Sequence, residues 1–194
     1  RIIHNYAENF PSKIIDNYKK INKWLKNKYL ISQYIKFFLP KFMGKIIFAQ
    51  HHLSHAASAF FPSPYSESAI LTIDGVGEFS SSTICFGKEN KISLIKQQNY
   101  PNSLGLLYSA FTSFLGFKVL SGEYKMMGLA PYGEPKHYQL IRDKICEIKE
   151  NGSIDINQKY FNFNSDKKIY NDNLEEIFEL KNRNEDDNIT IDHM

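Results

Sequence analysis

The sequence predicts an α/β domain, a sheet flanked by helices, on three observations. Some segments carry apolar residues at helical spacing while others are continuously apolar or alternate. The two kinds interleave along the chain instead of segregating. Glycine, proline or asparagine stands at most changes of pattern. The 194 residues suffice for one domain of moderate size with a proper core. At 42% apolar and 14% aromatic, the composition is that of a globular protein and excludes a disordered chain.

Taken in order, residues 11–39 place Ile14, Ile15, Tyr18, Ile21, Trp24, Leu25, Tyr29 and Leu30 at helical spacing, and Pro40 ends that helix. Its polar side is basic, with Lys13, Lys19, Lys20, Lys23, Lys26, Lys28 and Lys36. Residues 1–44 therefore read as a basic helical segment, and 45–194 as the domain proper. Residues 46–49 are a short apolar run that reads as a buried strand, and 52–61 as a closely packed, alanine-rich helix stopped by Pro62 and Pro64. Residues 69–73 are continuously apolar, as in a central strand. Residues 80–86 and 91–96 read as hairpin partners across Gly87–Asn90. A helix is predicted over 104–117, with Asn102 and Ser103 as caps. Residues 118–135 read as mostly loop with one helical turn, and 137–150 as a second amphipathic helix closed by Asn151-Gly152. Short strands over 153–156 and 160–163 follow, and 182–188 is polar and reads as exposed or mobile. No internal repeat is visible.

A net charge of +3 is too small to argue for nucleic acid, and the clustered lysines read as a solvated helix face. No apolar run approaches the roughly 20 residues of a membrane helix, and no signal segment follows Arg1. Cys85 and Cys146 lie far apart without a pairing pattern, which suits a reducing cytoplasm. The chain starts and stops without the usual domain flanks, as a piece of a longer protein would.

Three segments carry chemistry. His51 and His55 are four residues apart, one turn of a helix, so their imidazoles share a face and can hold one divalent cation. Asp74, at the end of an apolar strand, can supply a third ligand. His52 points about a quarter-turn away and reads as a supporting or packing residue. The segment Asp74-Gly75-Val76-Gly77-Glu78 either sets a carboxylate and bare backbone at a sheet edge, where a phosphate can approach, or is a plain hairpin turn. Gly122-Glu123-Tyr124-Lys125 sits in a stretch punctuated by glycine. It offers a carboxylate for ribose hydroxyls and an ammonium for phosphate, or is a loop with two exposed charges.

Residues 51–61, 72–78, 102–108 and 122–133, in that order, resemble the carbamoyltransferase family of nodulation-factor and antibiotic-tailoring enzymes. The resemblance covers residues 45–135 well and the flanks weakly. It implies an incomplete actin-like ATPase fold (the ASKHA superfamily, ribonuclease H-like) with a mixed sheet and flanking helices. It implies a catalytic metal, often iron, on His51, His55 and Asp74. It also implies nucleotide contacts from Gly75, Gly77, Glu78, Gly122, Glu123 and Lys125, with Lys125 catalytic in offsetting charge on a departing AMP. The implied donor is carbamoyl-adenylate, made from carbamoyl phosphate and ATP by a carboxyl-terminal synthase-like domain. The implied acceptor is a small-molecule hydroxyl. A further aspartate ligand, an amino-terminal phosphate-binding strand and the synthase-like domain are not recognisable in the chain, and Ile189 begins what resembles the next family segment. The related tRNA threonylcarbamoyl transferases show His-x-Glu-Gly-His where this chain has His51-His52-Leu53-Ser54-His55, which favours a small-molecule acceptor. The remaining alternative is an inactive fragment with residual nucleotide binding.

Overall fold

A computed structural model describes residues 30–165 and 168–190. The chain divides into two units, Arg1–Gln50 and His51–Met194. In the first, helix α1 spans Ile31–Phe38, and the Leu39 N–H donates to the Ile35 carbonyl just before Pro40. It realises the end of the helix predicted over 11–39. Residues 11–29, with the lysines at 13–28, lie outside the described residues. The strand expected at 46–49 is not formed, because no neighbouring strand pairs with it among the described residues.

The second unit begins with helix α2, His51–Phe60, one residue from its predicted start. Strands β1 (Glu67–Gly77), β2 (Ser80–Lys88) and β3 (Lys91–Asn99) form one antiparallel sheet in the order β1-β2-β3. Two-residue connections at Glu78-Phe79 and Glu89-Asn90 join them, with Glu78 (φ 58°) and Glu89 (φ 50°) in the left-handed region. Loops this short can join only antiparallel neighbours. That corrects two expectations: among the described residues, pairing is antiparallel throughout, not mixed, and β1 lies at the edge of its sheet, not at the centre. Its alternation, with Ile70 and Thr72 buried and Leu71 and Ile73 exposed, shows that one face of the sheet is covered and the other open.

Ala56 and Phe60 of α2 pack on Ile70, Cys85 and Ile92, covering one face of the sheet. Burying Phe60 contributes about 1.5–3 kcal/mol. Helix α3, Leu104–Phe114, follows the sheet; Ser103 caps it by accepting the Leu106 N–H at 3.1 Å. It stops three residues before the predicted end, because Gly116 turns the chain at φ 73°.

Residues 118–135 contain more helix than expected: α4 at Glu123–Leu129 and a 3-10 turn at Ala130–Tyr132. The helix predicted over 137–150 is shorter: α5, Tyr138–Leu140, runs into a π-type turn, Ile141–Ile145. Residues Cys146–Ile148 then become strand β4, paired with β5, Ile154–Ile156. Gly152, at φ 79°, turns this hairpin where the sequence suggested a helix stop. A 3-10 turn at Gln158–Tyr160 and a single bridge, Phe161 to Tyr170, replace the strand expected at 160–163.

Helix α6, Asp172–Phe178, was not anticipated; its seven residues sit in a polar stretch with only Leu174 fully buried. Leu107, Ala110 and Phe114 of α3 meet Ile145, Ile156, Tyr170 and Leu174 in a second core. The tail at 182–188 is largely exposed, as expected, and is tied to the second unit through the buried Arg183: its Nε donates to the Leu115 carbonyl at 2.7 Å, and its guanidinium lies over the Phe117 ring. No helix among the described residues is long and apolar enough to cross a membrane.

Candidate metal centre

His51 and His55 occupy the first turn and a half of α2, one turn apart on one face. Asp74 comes from β1, where the ladder lapses. Between the Ile73–Ser82 and Gly77–Ser80 pairs, β1 advances four residues while β2 advances two. The Asp-Gly pair is thus a bulge inside the strand, not the hairpin turn, which falls at Glu78-Phe79.

The bulge leaves main-chain carbonyls to satisfy, and α3 does this. The Ser103 hydroxyl, fully buried, lies 2.5 Å from the Gly75 carbonyl and 3.1 Å from that of Asp74. A Cβ at Gly105 would meet the Asp74 carbonyl carbon and oxygen at 2.6 Å, so only glycine allows the helix this near the strand.

The three side chains converge. One nitrogen from each imidazole and one carboxylate oxygen lie within 4.8 Å of one another. His55 Nε2 is 3.0 Å from His51 Nε2 and 3.5 Å from Asp74 Oδ2, and His51 Nε2 contacts the same Asp74 oxygen. Ligand bonds of about 2.1 Å place neighbouring donors about 3.0 Å apart in an octahedral shell and about 3.4 Å in a tetrahedral one. The first two distances match that range, and the His51–Asp74 contact would have to open. Three lone-pair donors pointed at one spot need a proton or a cation between them, and the donor set suits a divalent transition ion.

Burial by itself would push the Asp74 carboxyl up. The His51 hydrogen bond, the Gly75 N–H on Oδ1 (2.6 Å) and the two imidazoles outweigh it and hold the group below the ordinary aspartate range, ionised as a ligand must be.

Gly77 belongs to this centre for a reason the sequence did not reveal. A Cβ there would sit 2.1 Å from His51 Cδ2, so the glycine is the space the ring occupies. The Gly75 N–H is spent on Asp74, and Glu78 stands exposed in the hairpin turn. Glu123, the first residue of α4, ties the preceding turn and α3 to that helix. Its carboxylate accepts from the Leu120 N–H (2.9 Å), the Ser109 hydroxyl (3.1 Å) and the Gly122 N–H (3.2 Å). Lys125, two residues on, is exposed and makes no ion pair among the described residues. The structure therefore gathers His51, His55, Asp74 and Gly77 into one cluster. Gly122, Glu123 and Lys125 form a separate group at the start of α4. Sequence reasoning missed Ser103 and Gly105 as supports of the Asp74 main chain; a cap and a glycine in one helical turn were the available signal.

The family profile for the carbamoyltransferase amino-terminus matches residues 1–191. An uncharacterized protein of Synechocystis is 39% identical over 197 residues, covering 98% of this chain and 32% of its own length. Nodulation protein NolNO of Sinorhizobium fredii is 41% identical over 109 residues, covering 56% of this chain and 16% of its own. Nodulation protein NolO of Bradyrhizobium diazoefficiens is 38% identical over 102 residues, covering 53% of this chain and 18% of its own. The chain thus spans about a third of the first relative and under a fifth of the nodulation proteins.

Proposed function

The chain belongs to the carbamoyltransferase amino-terminal family, and on that premise we propose that it carries the acceptor-side chemistry of an enzyme that moves a carbamoyl group onto a hydroxyl of a small-molecule acceptor. The observation that carries this reading is the convergence of His51, His55 and Asp74 on one point. The donor in this reading is carbamoyl-adenylate, formed from carbamoyl phosphate and ATP in a carboxyl-terminal synthase-like domain of a longer protein. The acceptor oxygen bonds to the carbamoyl carbon and gives up its proton to solvent, the bond from that carbon to the phosphate oxygen breaks, and AMP leaves with the electron pair. The same reading takes the fold as part of an actin-like ATPase domain, supported by an antiparallel meander followed directly by a helix.

His51, His55 and Asp74 hold a divalent cation, with iron the expected ion. When bound, that ion supplies a fixed positive charge and Lewis acidity beside a phosphate. Lys125 presents an exposed ammonium, with no ion pair among the described residues, and offsets charge on the departing phosphate as a point charge. Glu123 ties residues 120–122 to α4 and so sets where Lys125 stands; binding a ribose would require it to exchange those internal donors. Glu78 completes the proposed nucleotide contacts; the Gly75 and Gly122 N–H groups are taken by Asp74 and Glu123, and the His51 ring fills the space beside Gly77.

Elemental analysis tests the centre. The purified chain should carry about one ion, and His51→Ala, His55→Ala or Asp74→Asn should lose it. Equal metal content in all four proteins would remove the ligand set. Carbamoyl transfer from carbamoyl phosphate and ATP, assayed with the synthase-like domain present, should fail in the same variants and in Lys125→Ala.

A further inference from the structure

Among the described residues, neither ligand imidazole is oriented through its own second nitrogen. Among the described residues, His51 and His55 make hydrogen bonds through Nε2 and none through Nδ1. Metal-binding histidines ordinarily have a partner on the far nitrogen that fixes the ring. Here the rings take their position from the helix that bears them, and what fixes that helix is the residue between them in sequence.

His52 is only 6% exposed and points into the sheet. Its Nε2 lies 2.9 Å from the Ser80 carbonyl, which can only accept, so Nε2 carries the proton. In the neutral ring, Nδ1 then accepts from the Thr72 hydroxyl at 2.7 Å. Thr72 Oγ1 accepts in turn from Thr83 Oγ1, also at 2.7 Å, and Cys85 Sγ follows at 3.6 Å. Thr72 and Thr83 are both buried, so no water competes for these bonds, and losing one leaves a buried polar group unpaired. The relay runs from β2 through β1 into α2. One end is adjacent to His51, and Thr72 stands two residues before Asp74 on the same strand.

We propose that His52 is a positioning residue for the cation site: through Thr72 and Ser80 it locks α2 onto β1 so that His51 and His55 meet Asp74. This rests on the reading of the triad as a cation site. Locking the helix sets the separation between ligands drawn from two elements, so affinity for the ion depends on a side chain that never touches it.

The test is a Co2+ titration of the full chain, followed by visible absorption, with the melting temperature measured in parallel. His52→Leu removes both bonds. Thr72→Val removes one hydroxyl with little change of shape. Each should weaken Co2+ binding about 10–100-fold under conditions where the variant is folded. His52→Gln, which keeps a donor for Ser80, should recover part of the loss. A purely structural role would lower the melting temperature and leave the Kd of the folded protein unchanged. That result in either His52→Leu or Thr72→Val overturns the proposal; if His52→Leu does not fold, Thr72→Val decides. Wild-type protein that binds no Co2+, or binds it equally after His51→Ala, overturns the triad reading instead.

Discussion

Replacing Gly77 with alanine adds a single methyl group, and its effect can be worked from the geometry. The new Cβ would lie 2.1 Å from His51 Cδ2, 2.6 Å from Cγ and 3.0 Å from Cβ, where ordinary contact begins at 3.4 Å. The ring must retreat by more than 1 Å, which is a third or more of its 3.0 Å separation from His55 Nε2. It has two ways out. The His51 side chain is 42% exposed and can swing into solvent, at little cost in stability. Otherwise strand and helix part, at about 1–3 kcal/mol. Either way Nε2 leaves the cluster and a two-ligand site remains. Co2+ affinity, read by competition with a chromophoric chelator, should fall about 100-fold or more, at or beyond the upper end of what losing an outer-shell partner costs. Gly75→Ala is the control, since its added Cβ would meet only Leu106 Cδ2, at 3.8 Å. Gly77→Ala that binds Co2+ as wild type does would refute both the placement of the ring and its role as ligand.

Ser103→Ala removes an N-cap and leaves the Asp74 and Gly75 carbonyls without their donor; urea unfolding should show a loss of about 1–2 kcal/mol. Glu123 gives a pH signature: burial would raise its carboxyl, but the Leu120 and Gly122 N–H groups and the Ser109 hydroxyl outweigh burial and hold it below its ordinary value. Folding therefore favours the carboxylate, so its stabilisation is complete above the unfolded pKa and is lost as pH falls through the lower folded one. Melting temperatures between pH 6 and pH 3, on the order of that window, should drop less steeply in Glu123→Gln than in wild type. Both cysteines are buried, and burial pushes the Cys146 thiol up against the opposing pull of Arg142, so a thiol reagent should label neither until denaturant is added.

The pieces of the site could be read because each has a local signature. The spacing of His51 and His55 is a property of one helix, and an apolar run into Asp-Gly marks a strand near its end. The bulge could not be read, because it depends on how Ser80 and Ser82 pair across the sheet. Gly77 looked like room for a phosphate because only the tertiary fold brings the His51 ring there. The helix expected over 137–150 failed for a related reason. Cys146, Glu147 and Ile148 fit the amphipathic pattern of 137–150, but pairing with Ile154–Ile156 buries Cys146 and Ile156 in the second core, and that non-local gain outweighs local preference. Helix α6 went unseen because one fully buried leucine is too little for periodicity to reveal.

Two of the proposed ligands, His51 and Asp74, are separated by 23 residues along the chain and straddle the proline-containing connection from α2 to β1. An ion shared by His51 and Asp74 is therefore a removable cross-link that closes a loop. By the chain-entropy relation, a loop of that length restricts the unfolded ensemble by about 3 kcal/mol, an upper figure for a bond less rigid than a covalent one. Chelation would undo that tether and lower overall stability by up to that amount, while His52 and the packing of Ala56 and Phe60 still hold the helix on the sheet.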